Sequence, residues 1–436
     1  MSAYPLLAEF DLNTKFSRQA GGAISRHEFL AHTHALAATL PEAAYALNLC
    51  TDRYHFAIAF AACALRGTCS LLPPSTAPGL IAELETGYGA IRIDDATVRG
   101  APAQHNPAPQ TPPLIPCERQ VAVLFTSGST GYPRPQAKTW GELQGVTKLT
   151  LDRLGLEQRP MNIVATVPPQ HSYGFESSVL LALGGSASIH SGHPLYPADV
   201  HAALESLPPP RMLVTTPVHL DACLRVGFDW PEIALILSAT APLDPACARE
   251  AERRFQAPLQ EIYGCSEAGA IATRRTTRQA EWEPYAGISL IETLGGRFQV
   301  NAPHLGHPRP LADRLKLLPD GRFKLLGREA DQVKIAGKRI GLGELNRRLL
   351  AIAGVEDGSF ILPEPHSTRL AAVIVAPTLS KHQIRRQLAA VLDPVFLPRP
   401  LIKVEKLERN ATGKLTRATL LEVISRFDRV HNRAYS

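Results

Sequence analysis

Short, β-branched, apolar runs alternate with helical stretches through most of this chain, and no other feature narrows its fold so far. Gln120–Phe125, Met161–Val167, Arg211–Thr215 and Ile233–Leu237 have the length and composition of buried strands. Helical stretches such as Ser177–Leu183 and Leu243–Phe255 separate them. The alternation predicts an α/β fold with largely parallel sheets. The 436 residues exceed one ordinary core, so more than one domain is expected. Residues 1 to about 98 alternate in the same way, with Ala57–Leu65 reading as a buried helix. Ala101–Pro116 carries six prolines and reads as a linker or surface loop. Gly295–Leu326 has the texture of small antiparallel strands. Gly341–Ile352 (helix), Ala371–Val375 (strand) and His382–Leu392 (helix) then predict a separate small α+β unit. The expected division is 1–327, a large domain of several subdomains, and 328–436, a small mobile one.

Composition matters here chiefly for what it excludes. No apolar stretch approaches the roughly 20 residues of a membrane helix, and no signal peptide is visible at the N-terminus. The seven cysteines are scattered and form no CxxC pair, which fits reduced thiols, a cytoplasmic setting and no zinc cluster. The net charge is +6, and residues 328–436 hold 19 Lys+Arg against 11 Asp+Glu. These basic residues are dispersed, without interleaved aromatics, so nucleic acid is not the expected partner. A polyanionic cosubstrate or an acidic carrier protein suits them equally.

Four segments carry chemistry. The first, Phe125-Thr126-Ser127-Gly128-Ser129-Thr130-Gly131-Tyr132-Pro133-Arg134, follows a strand directly. Its glycines allow close backbone approach, and its hydroxyls and N–H groups suit an anion. It is not a Walker A loop, because no Lys-Ser/Thr pair follows the glycines. The second is Tyr263-Gly264-Cys265-Ser266-Glu267, after the strand-like Leu259–Tyr263. One carboxylate is what magnesium asks of a protein when phosphates and waters fill its other positions. The third runs from Gly327-Arg328-Glu329-Ala330-Asp331 through Gln332–Ile335. The fourth is Asn410-Ala411-Thr412-Gly413-Lys414, a turn presenting one ammonium.

In this order and over this span the four motifs resemble the adenylate-forming superfamily of acyl-CoA synthetases, aryl acid ligases, luciferases and peptide-synthetase adenylation domains. The resemblance covers about Val121 to Arg417. It implies that ATP activates a carboxylic acid to an acyl-adenylate, which passes to the thiol of CoA or of a phosphopantetheinyl carrier protein. It implies ATP and Mg²⁺ as cofactors. Thr126 to Gly131 and Arg134 match the loop that closes over the β- and γ-phosphates. Arg134 stands where lysine is usual, and Lys138 is a candidate substitute. Tyr263 and Gly264 match the adenine platform, Ser266 the α-phosphate contact, and Glu267 and Thr130 the metal ligands. Asp313 and Arg328 match the ribose contacts, and Gly337 the thiol path. The hinge falls at Ala330 or Asp331, although the family has a polar group two residues after the arginine. Lys414 matches the lysine that bridges the attacking carboxylate and the α-phosphate, where a cation is worth most in the transition state. Ser238–Leu243 stands where the family has a glycine-rich turn along the adenine, but two glycines have become Ala239 and Thr240.

For the acid, Pro168–Glu176 resembles the segment that walls the carboxylate pocket. His171 is then a catalytic wall residue, with Tyr173, Phe175, Glu176, Cys265 and Ala268 lining the pocket. The chain is also similar to short acyl or aryl ligases found with aryl polyene pigment synthesis, which points to an aromatic or acyl substrate. Two alternatives stay open. Glu176 stands where peptide-synthetase domains hold an amino group with aspartate, which allows an amino acid-adenylating enzyme. The departures at Arg134, Ala239, Thr240 and Ala330 allow a degenerate homologue that binds nucleotide without turnover.

Overall fold

A computed structural model of the chain describes residues 2–8, 11–19, 21–102, 111–126, 134–157, 159–328, 332–335, 338–364, 367, 369–410, 413 and 415–432. The chain forms two compact units. The first comprises Met1–Ile291, Gln299–Pro310 and Leu317–Lys324. The second comprises Glu292–Phe298, Leu311–Lys316 and Leu325–Ser436.

In chain order the first unit contains strands β1 (Ala3–Pro5), β2 (Lys15–Gln19), β3 (Gly22–Ser25), β4 (Tyr45–Asn48), β5 (Cys69–Leu72), β6 (Ile91–Ile93), β7 (Leu114–Pro116), β8 (Gln120–Thr126), β9 (Arg134–Thr139), β10 (Asn162–Ala165), β11 (Ser188–His190), β12 (Arg211–Thr215), β13 (Leu235–Ser238), β14 (Leu259–Cys265), β15 (Gly269–Arg274) and β16 (Glu283–Pro284). They build a five-stranded sheet of order β6-β4-β5-β8-β9 and a nine-stranded sheet of order β16-β15-β14-β13-β12-β10-β11-β2-β3. The runs β6-β4-β5-β8 and β14-β13-β12-β10-β11-β2 are parallel, and antiparallel strands close the remaining edges. This is the α/β fold with mainly parallel sheets that the alternation of runs predicts.

Burial explains the layers. On one face of the large sheet Val164, Leu213, Ile236 and Leu259 join Val200 and Leu204 of the helix Pro197–Glu205, Leu220 of the helix Pro217–Leu224, and Ala248, Ala251 and Phe255 of the helix Pro245–Phe255. The helix Arg53–Arg66 is apolar over almost its whole length, and Phe56 to Ala64 are all buried. Asp52 caps it by accepting from the Tyr54 and His55 amides, and Gly67 ends it at φ +77°.

Two readings of the sequence need correction. The proline-rich stretch does not stay loop to its end. Leu114–Pro116 pairs with Ala3–Pro5 as an antiparallel ribbon, a position where the missing proline N–H costs no central ladder. The helix expected over Ser177–Leu183 begins earlier, as an α-turn over Ser172–Gly174, is wound as a π-helix over Phe175–Leu180, and is α-helical again over Leu181–Gly184. Insertions of this kind gather at functional sites.

In the second unit, Asp357–Ile361, Ala371–Val375 and Leu401–Lys403 form a three-stranded sheet. The helices Leu342–Leu350 and Lys381–Val391 close one core on it through Leu345, Leu349, Ile384 and Leu388, and the helix Arg417–Asn432 closes another through Leu420 and Ile424. Gln332–Ile335 and Lys338–Gly341 pair antiparallel, with Ile335 opposite Lys338. No helix among the described residues is long and apolar enough to cross a membrane.

Candidate active site at the carboxyl edge of the large sheet

Where the apolar rows of β10, β12, β13 and β14 end, a polar row begins. Thr166 follows β10, and its Oγ1 lies 3.1 Å from Thr215 Oγ1. Thr215 stands opposite Ser238, Ser238 opposite Glu261, and Glu261 opposite Arg274. All but Arg274 are at most 2% exposed. Arg274 Nε donates to Glu261 Oε2 at 2.6 Å, and its guanidinium lies 4.4 Å from the Trp282 ring centroid. Ligands of parallel sheets gather at this carboxyl edge. Three segments singled out in the sequence leave the sheet there: Pro168–Glu176, Ser238–Leu243 and Tyr263–Ala268.

Pro168–Glu176 is held by an arginine that the sequence reading missed. Arg53 is fully buried at the start of its helix. Its Nη2 donates to the Ala165 and Val167 carbonyls at 3.0 and 2.8 Å, and its Nη1 to Ser178 Oγ at 2.8 Å. Burial lowers its pKa to about 10, so it keeps its charge at neutral pH. A cation opening an otherwise apolar helix was the available signal. Gln170 Nε2 donates to the Cys50 carbonyl at 2.6 Å, and His171 Nδ1 accepts from the Tyr173 amide at 3.2 Å. Gly174 passes so close to the Pro168 carbonyl that a Cβ there would collide with it.

The residues expected to line the acid pocket separate into two groups. Phe175 packs into the aromatic core. It is fully buried, with ring centroids 5.9 Å from Phe56 and 4.9 Å from Phe60. The π-turn carries Glu176 the other way, toward β15. There Glu176 Oε1 accepts from Ser172 Oγ at 2.9 Å and Oε2 from the Ala270 amide at 3.1 Å. Burial raises the Glu176 pKa, against the pull of Lys138 and of these two donors. Gly269 sits at φ +75°, and a Cβ on it would stand 2.9 Å from Val146 Cγ2 and 3.3 Å from Glu176 Oε2. Tyr173 is 8% exposed, and burial holds its phenol well above the ordinary range.

Tyr263–Ala268 is a turn pinned from beneath. Gly264 lies against Gly269, and any side chain there would meet the Gly269 carbonyl. Lys138 Nζ donates to the Glu267 carbonyl at 2.7 Å, and His304 Nε2 lies 3.0 Å from the Ala268 carbonyl. Lys138 is 4% exposed, so it is a buried prop of this turn and not an open cation for phosphate. Burial lowers its pKa, while Glu142 and Glu176 oppose that shift. Burial pushes the Cys265 thiol up to about 12, far from a thiolate nucleophile. Ser266 and Glu267 are partly exposed. The Tyr263 ring packs on Trp282 and Phe323, with centroids 5.7 and 5.6 Å away. Ala239 is buried, and Thr240 adopts φ +79°.

The other expected residues fall as follows. Thr126 stands opposite Arg134 at the open end of the β8–β9 ladder, and Arg134 is exposed. Ser127, Gly128, Ser129, Thr130 and Gly131 lie outside the described residues, as do Ala330, Asp331, Gly337 and Lys414. The strands Asp313–Leu317 and Phe323–Arg328 are paired and joined by the turn Leu318–Arg322, so Asp313 and Arg328 occupy the same end of that ribbon. Before Lys414, the Gly413 amide donates to the Asn410 carbonyl at 2.8 Å, and Gly413 takes φ +73°. Arg409 clamps the turn, reaching the Gly413 carbonyl at 3.0 Å and Asp357 at 2.6 and 2.8 Å.

Residues 22–304 match the AMP-binding enzyme family, and the chain belongs to it. It is 30% identical over 240 residues to a 4-coumarate–CoA ligase of Rhodobacter capsulatus, a match covering 55% of this chain and 60% of that protein. It is 27% identical over 307 residues to a 4-coumarate–CoA ligase of Halorhodospira halophila, covering 66% and 73%. Among solved structures, the o-succinylbenzoate coenzyme A synthetase of Bacillus subtilis in complex with AMP superposes with a TM-score of 0.81 at 18% identity, over 96% of this chain and 98% of that one. The adenylate-forming fold therefore extends over nearly the whole chain.

Proposed function

We propose that this protein activates a carboxylic acid with ATP to an acyl-adenylate and then transfers the acyl group to a thiol. The observation that carries the reading is the convergence of Pro168–Glu176, Ser238–Leu243 and Tyr263–Ala268 on one carboxyl edge of a parallel sheet in an AMP-binding family member. Two relatives being 4-coumarate–CoA ligases supports an aromatic or acyl substrate and a thioester product.

In the first half-reaction a substrate carboxylate oxygen bonds to the α-phosphorus, the bond to the β-phosphate bridge breaks, and pyrophosphate leaves. Tyr263, Gly264, Ala239 and Thr240 bound the base, Asp313 and Arg328 take the ribose, and Ser266 with residues 126–131 and Arg134 holds the phosphates. Among the described residues no group of three metal-binding side chains is gathered. Glu267, with Thr130, would hold a magnesium ion, which needs only one or two protein oxygens when phosphates and water can supply the rest. When bound, the ion supplies neutralisation of phosphate charge. Lys414 sits between the two approaching anions and lowers their repulsion. In the second half-reaction a thiolate bonds to the acyl carbon and AMP leaves, with Gly337 on the thiol path. The two steps need different groups at one site, so 328–436 acts as a mobile lid turning at Ala330 or Asp331. The acceptor is CoA or the phosphopantetheine of an acidic carrier protein, which the basic second unit would favour, and the setting is cytoplasmic.

Glu176 weighs against an amino acid substrate. It is buried and already held within the fold, accepting from Ser172 Oγ and the Ala270 amide, a role that requires no substrate ammonium.

ATP–pyrophosphate exchange over benzoates, hydroxycinnamates, medium-chain fatty acids and amino acids tests the proposal. Exchange with an aryl or acyl acid is expected. ATP binding without exchange on any acid would overturn it in favour of a non-catalytic nucleotide binder.

A further inference from the structure

Thr240 combines two features that an ordinary turn residue avoids. It is β-branched, yet its φ of +79° lies in the region that glycine fills without strain. Its Oγ1 is buried with no hydrogen-bond partner among the described residues, and neither has Ser238 Oγ, two residues earlier. Each feature costs folding stability. Glycine would avoid both, and valine would avoid the second. A residue kept at a disadvantage in the empty protein points to a partner that arrives later.

Its position names the partner. Ser238 faces Glu261 in the β13–β14 ladder, and two residues further along each strand stand Thr240 and Tyr263. Tyr263 is backed by Trp282 and Phe323, a rigid aromatic group at the same sheet edge. A flat heteroaromatic ring with hydrogen-bonding edges suits this pair, its face against the tyrosine ring and its edge toward the hydroxyl-bearing turn. A phosphate or an aliphatic chain would use only half of that arrangement.

We infer that Thr240 is a specificity residue for the nucleotide, its hydroxyl turning about χ1 to hydrogen-bond the edge of the purine base. This rests on the proposed reading of the site, in which the base lies along Ser238–Leu243. The left-handed backbone is then the means by which this turn brings a side chain, and not only main chain, to the base.

The test is calorimetric binding of Mg·ATP and, separately, of inorganic tripolyphosphate to the full chain and its variants. Thr240→Val keeps the shape and removes the hydroxyl. It should melt no lower than the parent and bind ATP about fivefold more weakly, the effect of one lost hydrogen bond. Tripolyphosphate, which has no base, should bind both proteins alike. Thr240→Ser should recover most of the ATP affinity. Thr240→Gly relieves the backbone, so it should melt higher and still show the weakened ATP binding, which keeps the test open should the valine variant fold poorly. Valine and glycine variants that bind ATP like the parent would overturn the inference, as would equal losses for ATP and tripolyphosphate. A parent protein that binds no ATP would overturn the site reading itself.

Discussion

Replacing Glu176 by glutamine separates two chemistries that the sequence leaves open. The amide can keep both contacts of the carboxylate. Its oxygen accepts from the Ala270 amide, and its nitrogen donates to Ser172 Oγ, which as a hydroxyl also accepts. The fold should therefore survive, and stability should change through ionisation. Burial raises the Glu176 pKa above its unfolded value. Between those two values the folded state binds the extra proton, so stability falls as pH rises through that window. Above it the protein carries a buried charge that glutamine does not. The charge lost to Lys138 is a smaller loss, because Glu142 is the larger opposing influence on that lysine. Glu176→Gln should thus melt about 1 °C higher at pH 7.5, corresponding to about 1 kcal/mol for a protein of this size. The gain should vanish near pH 4, where both proteins are neutral at this position. In ATP–pyrophosphate exchange with the preferred aryl or acyl acid, kcat/KM should stay within about threefold of the parent. If Glu176 instead holds a substrate ammonium, breaking a buried pair costs about 3–5 kcal/mol, or a loss of about 10²–10³-fold or more. A loss of that size with an amino acid substrate, together with a lowered melting temperature at pH 7.5, would refute the reasoning.

Lys414→Ala should slow adenylate formation by about 10²–10³-fold and leave thiol transfer from preformed acyl-adenylate nearly intact; single-turnover assays of the two steps would show equal losses if the lysine has another role. Arg53→Leu leaves the Ala165 and Val167 carbonyls without their donor, so it should cost about 2–4 kcal/mol and be read as an earlier midpoint in urea. Gly174→Ala should destabilise the segment by forcing Pro168 and Gly174 apart, and, on the proposed reading that this segment walls the acid pocket, raise KM for the acid more than KM for ATP. Cys265→Ala should keep full activity, and the parent should resist iodoacetamide at pH 8, because a thiol pushed up to about 12 is almost wholly protonated there.

The sequence carried the sheets well and the direction and depth of individual side chains less well, for a physical reason. Arg211–Thr215 and Ala371–Val375 are strands over the same residues in both readings, and the start of β8 at Gln120 agrees as well. Each is a short apolar run whose burial needs no distant information. Phe175 shows the opposite case. Spacing cannot tell which way a side chain faces when one extra residue is wound into the helix, and the π-turn Phe175–Leu180 decides that Phe175 enters the core while Glu176 meets Ala270. Lys138 was legible as a cation near the phosphate loop, but its depth and its bond to the Glu267 carbonyl follow from β9 lying under a turn 129 residues away in the chain. Arg53 went unread because it acts on backbone carbonyls, and carbonyls carry no sequence signature.

Buried hydrogen bonds among the segments that leave the sheet also show how the two departures from the family's glycine turn can be tolerated. Ala239 and Thr240 add side chains where close backbone approach is expected, and Thr240 adds strain. Around that turn, however, the structure is over-determined. Lys138 and His304 hold the Tyr263–Ala268 turn from beneath, Arg53 and Gln170 hold Pro168–Glu176, and the Leu243 amide donates to Glu261 Oε1 at 3.3 Å, while Arg274 anchors the other oxygen of that carboxylate. A strained residue persists only where its neighbours fix it. The link nearest to Thr240 along the chain is Leu243 to Glu261 to Arg274, and loosening it should relax Thr240. An Arg274→Met variant, which takes from Glu261 its buried counter-ion, should therefore lower the melting temperature and weaken ATP binding together. Thr240→Gly separates the two effects, raising the first while still losing the second. Opposite signs in one variant and equal signs in the other are what strain held for a ligand requires, and a purely structural turn would move both quantities in the same direction in each.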